Sequence, residues 1–235
     1  KWQNSEIEGI DIMLAMDVST SMLAEDLKPN RLEAAKDVAA EFINGRPNDN
    51  IGITLFAGET FTQCPLTVDH AVLLDMIHNI KCGLITDGTA VGMGIANAVT
   101  RLKDSKAKSK VIILLTDGTN NKGDISPMTA AEIAKSFGIR VYTIGVGTNG
   151  MAPYPYPVGN TVQYVSMPVE IDEKTLTEIA GTTDGNYFRA TSNSKLKEVY
   201  EEIDKLEKTK LNVKEYSKRD EEYHWFALAA FLCVL

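Results

Sequence analysis

The sequence predicts an α/β fold, Rossmann-like and doubly wound, with a mostly parallel sheet and one antiparallel edge strand. Three features carry that reading. Short, almost wholly apolar runs alternate with stretches of helical period nearly from end to end, as strands buried on both faces require. At 235 residues and 44% hydrophobic, the chain can bury a sizeable core in one domain. One pair of apolar runs lies close enough in sequence to form a hairpin, which supplies the antiparallel edge.

Taken in order, "GIDIMLAM" reads as a buried strand, and "RLEAAKDVAAEFI" sets Leu32, Ala35, Ala39, Phe42 and Ile43 on one helical face. "IGITLFA" is the second strand, with "TFTQCPLT" pairing beside it across a turn around Gly58. "DHAVLLDMIHNI" and "TAVGMGIANAVTRL" are helices, the latter striped by Val91, Ile95, Ala98, Val99 and Leu102. "KVIILLTDG" holds no polar residue between Lys110 and Thr116 and is the plainest strand in the chain. A helix from about Thr129 to Phe137 leads into the strand "IRVYTIGVG". "TNGMAPYPYPVGNTVQYVSMPVEID", with four prolines and no helical period, reads as an inserted loop or hairpin and a candidate partner contact. "DEKTLTEIAG", the short strand "NYFRA" and a last helix carrying Leu196, Val199, Tyr200, Ile203 and Leu206 complete the fold.

Charge narrows the function classes. With 24 Lys and Arg against 32 Asp and Glu, a net −8 argues against nucleic-acid binding, which needs a basic patch. Three cysteines, Cys64, Cys82 and Cys233, match no zinc spacing. Cys64 and Cys82 pair if the compartment is oxidising, and stay buried thiols otherwise.

In a doubly wound sheet, ligands sit outside the carboxyl ends of the strands. Asp17 ends the first strand and Asp117 the strand expected beside it. Two carboxylates in one crevice repel each other unless a cation lies between them. Asp17, Ser19, Ser21 and Asp117 offer only hard oxygens, and Thr89, beside Gly88 at a helix entry, adds one more. Such a set selects Mg²⁺ most strongly, with Mn²⁺ and Ca²⁺ compatible, over zinc. Neutral hydroxyls leave that cation incompletely neutralised, and its open position invites a carboxylate from outside.

Asp17-Val18-Ser19-Thr20-Ser21, "DGTAVG" around Thr89 and "LLTDG" around Asp117 resemble the metal-ion-dependent adhesion site (MIDAS) of the von Willebrand factor A (VWA) domain family, over roughly Gly9 to Leu206. The flanks "EGIDIMLAMDVSTSM" and "EEIDKLEKTKLNVKEY" narrow the likeness to BatA-like bacterial membrane proteins linked by name to aerotolerance. The resemblance implies a protein-binding module and no enzyme. The hydroxyls of Ser19, Ser21 and Thr89 contact the cation, Asp17 and Asp117 act directly or through water, and a protein partner's Glu or Asp fills the last position. Many relatives carry Gly where this chain has Thr20, which is not a ligand position. In some members of the family ligand binding is coupled to a shift of the last helix, here about Ser194 to Leu206.

The expected organisation is a VWA domain over 1–210, a connector over 211–224 and the start of a truncated transmembrane helix over 225–235. "WFALAAFLCVL" is too short to cross a bilayer alone, and Tyr223, His224 and Trp225 resemble an interfacial belt. By resemblance, the protein belongs to the bacterial inner membrane, with the domain in the periplasm among other membrane-complex subunits. That location would permit the Cys64 to Cys82 disulfide.

Two competing readings stand beside this one: a metal-free scaffold, and a Mg²⁺-dependent phosphotransfer enzyme like the haloacid dehalogenases, with Asp17 as acceptor. The second lacks an acid two residues after Asp17, where Ser19 stands, and neither Lys110 nor Lys122 is well placed. His70, His78 and His224 fall at no strand end as a base, and "GVGTNG" is followed by a Pro-rich stretch, not by a helix.

Overall fold

The computed structural model describes residues 9–159 and 161–216. The expected membrane segment at 225–235, Cys233 and His224 lie outside them, as does the connector beyond residue 216.

Six strands make the main sheet: β1 (Asp11–Asp17), β2 (Asn50–Phe56), β3 (Thr60–Thr67), β4 (Lys110–Thr116), β5 (Ile139–Val146) and, after a two-stranded excursion, β8 (Tyr187–Ala190). Their order is β3-β2-β1-β4-β5-β8, with every neighbouring pair parallel except β2 and β3. The expected α/β class and antiparallel edge are therefore observed. Pro65 sits in β3, at the edge where a missing N–H does least harm.

Side-chain alternation along the central strands builds two cores. Ile12, Leu14 and Met16 of β1 face α1 (Arg31–Asn44), α2 (His70–His78) and α6 (Asn193–Tyr216). Met13 and Ala15 face the other way, onto α3 (Val91–Leu102), α4 (Pro127–Ser136) and α5 (Glu173–Thr182). Because both faces are covered, β1 is buried at all seven positions, and its apolar run needs no polar alternation.

Local chemistry sets the helix starts. Asn30 accepts from the Glu33 N–H to cap α1, and Asp69 and Asp172 do the same for α2 and α5. The fourth helix starts at Pro127, two residues before the expected Thr129, and ends at Ser136, one before Phe137, because Ser126 caps it and proline occupies its first turn. The Pro- and Tyr-rich insertion is a hairpin, β6 (Met151–Val158) with β7 (Thr161–Pro168), separate from the main sheet. No helix among the described residues is long and apolar enough to cross a membrane.

Candidate metal centre

β1 and β4 run side by side, in register from Asp11 with Lys110 to Met16 with Leu115. Asp17 and Asp117 therefore emerge together at the carboxyl end of the sheet, and both are buried. The Thr116 hydroxyl donates to Asp17 Oδ2 at 2.6 Å, and the Ser19 N–H donates to Asp17 Oδ1 at 2.9 Å. A short 3₁₀ turn over Thr20–Leu23 curls the chain after β1. It brings the Ser19 and Ser21 hydroxyls within 2.9 Å of each other, and Ser21 donates to Asp117 Oδ1 at 2.7 Å. Four of the five expected donors thus form one connected group.

Thr89, the fifth, is buried just before the N-cap of α3 and has its hydroxyl beside Gly118, the residue after Asp117. Its N–H donates to Asn121 Oδ1 at 2.9 Å, and its carbonyl accepts from the Asn121 N–H at 3.0 Å. Gly88 before it has φ +132°, a conformation L side chains rarely adopt, and a Cβ there would meet Lys122. The sequence-predicted set therefore shares one rim.

Four residues to which sequence reasoning gave no part in the site organise that rim. Arg31, at the first position of α1, donates from Nη1 to Asp117 Oδ2 at 2.7 Å and from Nε and Nη2 to both oxygens of Asp26. Thr20 bonds Asp87 twice, through its N–H at 3.0 Å and its hydroxyl at 2.8 Å, and so ties the first loop to the second. A cation at the first turn of a helix opposes the helix dipole, and that misfit was the visible signal for Arg31.

Electrostatics leave the rim short of positive charge. Asp26 and Asp117 share the Arg31 guanidinium, and among the described residues Asp17 is bonded only by Thr116 and Ser19. Burial and then repulsion from Asp117 push the Asp17 carboxyl up to about 7, against the bonds from Ser19 and Thr116. Burial also raises Asp117, which Arg31 and Ser21 oppose without reversing. Asp26 ends below the usual range, because the bonds from Arg31 and Thr148 outweigh its burial. No cluster of three or more His, Cys, Asp or Glu side chains suited to a metal occurs among the described residues, so a cation here would depend on the hydroxyls as well.

The remaining candidates are not among the oxygen donors of the rim. Cys64 and Cys82 are both free, so the pairing open to them in sequence is not formed. Cys64 is buried on β3, whereas the Cys82 thiol turns to the Ser19 carbonyl at 3.4 Å. His70 bonds the Asp49 carbonyl at the amino end of β2, and His78 bonds Leu74 within its own helix. Lys110 opens β4 at the pole opposite Asp17, which removes it from any phosphotransfer role there.

The model of the von Willebrand factor type A domain matches residues 11–202. The chain belongs to the von Willebrand factor type A domain family. Among solved structures, an aerotolerance-related membrane protein from Bacteroides fragilis is 32% identical, with a TM-score of 0.74 over 84% of this chain and 98% of that one. BatB from Bacteroides thetaiotaomicron is 34% identical, with a TM-score of 0.74 over 85% of this VWA chain and all of its own. The similarity to Bat proteins read from the flanks therefore holds, at the level of the group. Proximal thread matrix protein 1 of the mussel byssus, with zinc in its MIDAS motif, is 25% identical, with a TM-score of 0.66 over 84% of this chain and 45% of that one. A relative from Nocardia farcinica is 33% identical over 82% of this chain, which spans only 62% of that protein's length. VWA domains are typically metal-dependent interaction modules, and the Bacteroides fragilis relative is described as a membrane protein.

Proposed function

We propose that this VWA domain binds a protein partner through a cation whose last coordination position is filled by the partner's Glu or Asp. One observation carries the reading: two buried carboxylates, Asp17 and Asp117, converge with serine hydroxyls at a strand-end rim where one guanidinium, among the described residues, pairs with Asp117 and none with Asp17. Ser19, Ser21 and Thr89 would hold the ion directly, and Asp17 and Asp117 directly or through water. The ion would supply the positive charge that the rim lacks and an open position for an incoming carboxylate. Hard oxygen donors favour Mg²⁺, with Mn²⁺ and Ca²⁺ compatible, and the zinc in the mussel protein's motif adds a fourth ion to test.

The same reading takes the chain as the domain, residues 1–210, of a membrane-anchored bacterial protein, with a connector over 211–224 and an anchor beginning at 225. Its partners would be other subunits of a membrane complex, with the domain in the periplasm. No catalytic residue is assigned.

Isothermal titration of the EDTA-treated chain with Mg²⁺, Mn²⁺, Ca²⁺ and Zn²⁺ tests the site. Saturable binding, lost in both Asp17→Ala and Ser19→Ala, is expected. Absence of saturable binding by any of the four ions would reduce the domain to a metal-free scaffold.

A further inference from the structure

The β6–β7 hairpin is chemically unlike the rest of the molecule. No charged residue occurs between Arg140 and Glu170, in a chain that is 24% charged. Seven of the thirteen large hydrophobic side chains exposed among the described residues lie on this hairpin. Every residue of β7 is exposed. A two-stranded hairpin is marginal in water by itself, and apolar surface concentrated this way marks an interaction site.

Its two edges differ. In an antiparallel pair, facing residues either exchange both backbone hydrogen bonds or turn both groups outward. Pro153, Pro155 and Pro157 face Ser166, Tyr164 and Val162. Prolines have no N–H to exchange, so these three pairs are the outward-turned kind. The Pro153 carbonyl points outward as required, accepting from the Glu25 N–H at 2.8 Å. The outer edge of β6 is thus stripped of donors and partly covered. The outer edge of β7 presents the N–H and C=O groups of Val162, Tyr164 and Ser166, with no partner for them outside the hairpin among the described residues.

The hairpin is also fastened to the candidate metal rim. Asp26, paired with the same Arg31 that holds Asp117, accepts from the Thr148 N–H at 2.8 Å at the root of the hairpin. Tyr164 donates its hydroxyl to Glu25 at 2.8 Å, four residues beyond Ser21. Two strand spacings, about 10 Å, separate the Glu25 backbone from the free edge of β7.

We propose that β7 receives an extended, uncharged segment of the same partner that presents the carboxylate to the rim, adding it as a third strand. This rests on the metal-dependent reading above. Strand addition would satisfy the open backbone groups, and alternate apolar side chains of the partner would cover those of β7. A charged strand finds no counter-charge on the hairpin itself, and Glu25 beside it is already engaged by Tyr164 and Lys28.

The test uses a display library of random dodecapeptides selected on the 235-residue chain in Mg²⁺, with binding then measured in Mg²⁺, in EDTA and on the double variant Val162→Pro, Ser166→Pro. Those prolines remove outward N–H groups and leave the β6–β7 ladder intact, and an unchanged Mg²⁺ titration certifies the fold and the rim. Peptides with an acidic residue beside an alternating apolar stretch are expected, each weakened at least about tenfold both by EDTA and by the prolines. Loss in EDTA alone overturns the strand proposal and leaves the metal reading standing. Loss with the prolines alone overturns the metal reading and the shared partner with it. Recovery of no proline-sensitive peptide overturns the proposal, as does proline-sensitive self-association, which would assign the edge to a second copy. Co-sedimentation of the wild type with phosphatidylethanolamine–phosphatidylglycerol vesicles, lost when Tyr156 and Val165 become Ser, would assign the hairpin to a lipid surface instead.

Discussion

The two poles of the sheet treat buried charge in opposite ways. At the amino end, Glu207 of α6 accepts from Arg140, from the Tyr142 hydroxyl at 2.6 Å and from the Ser109 hydroxyl at 2.7 Å. One carboxylate meets one guanidinium and two hydroxyls, and these bonds overcome burial to hold Glu207 below the usual carboxylate range. At the carboxyl end, one guanidinium serves both Asp26 and Asp117 and does not pair with Asp17, which burial drives the other way. A polar cluster that only holds a fold together is neutralised from within. One that leaves charge uncompensated depends on something that the chain does not itself supply.

Removing a partner should therefore cost most where the cluster is complete. Glu207→Gln leaves the largely covered Arg140 without its counter-charge and is expected to destabilise the domain by about 3 kcal/mol, the low end for a broken buried pair because Arg140 keeps some exposure. Urea denaturation of the EDTA-treated chain measures it, and a loss below about 1 kcal/mol would show that water already neutralises that pole.

Asp17→Asn should invert the pattern. It removes a buried charge that Asp117 repels, so the metal-free variant is expected to melt at or above the wild type. Its Mg²⁺ affinity should fall by at least about 100-fold, more than loss of an outer partner typically costs. A large drop in metal-free stability would mean that Asp17 is a structural acceptor for Thr116 and Ser19 and nothing more.

Acidity sharpens the contrast. Asp17 has a folded pKa of about 7 against an ordinary 3.8, so between those values the folded state keeps a proton that the unfolded chain has lost. Stability of the metal-free protein contributed by this group falls as pH rises through that window. Glu207 carries the opposite sign: its contribution is present above the ordinary carboxylate value and is lost only as pH falls below it. Melting temperatures in EDTA from pH 5 to 8 should decline for the wild type and flatten in Asp17→Asn. An equal decline in both would place the titrating group elsewhere.

Sequence made the carboxyl pole readable because its donors sit at strand ends, where a buried strand announces its own boundary. In "DIMLAMDVSTSM" the strand ends on Asp17 and in "KVIILLTDG" Asp117 follows it directly, and parallel pairing does the rest. Glu207 had no such marker. In "EEIDKLEKTK" one glutamate among several is buried, and only the tertiary approach of Arg140 selects it. Arg31 was hidden for a related reason: the apolar stripe of α1 fixes which face packs, but not that a guanidinium at its start reaches across to Asp117. The hairpin was legible as an insertion, while the different fates of its edges required the register that sets three prolines opposite Val162, Tyr164 and Ser166.

Thr20 tests the smallest part of the comparison. Read from sequence, it only replaces a glycine common in relatives and touches no cation. In the structure its N–H and hydroxyl grip both oxygens of Asp87, and those bonds outweigh burial in lowering the Asp87 pKa. Thr20→Gly removes the hydroxyl bond, frees the loop and should cost about 1 kcal/mol of stability. If the interlock also preorganises the Ser19 and Ser21 hydroxyls, Mg²⁺ affinity should fall by about tenfold, the low end of what loss of a supporting contact costs. A stability loss with unchanged affinity would confine Thr20 to holding two loops together. Unchanged stability with weaker binding would mean instead that the loop is already ordered and that Thr20 acts on the hydroxyls alone.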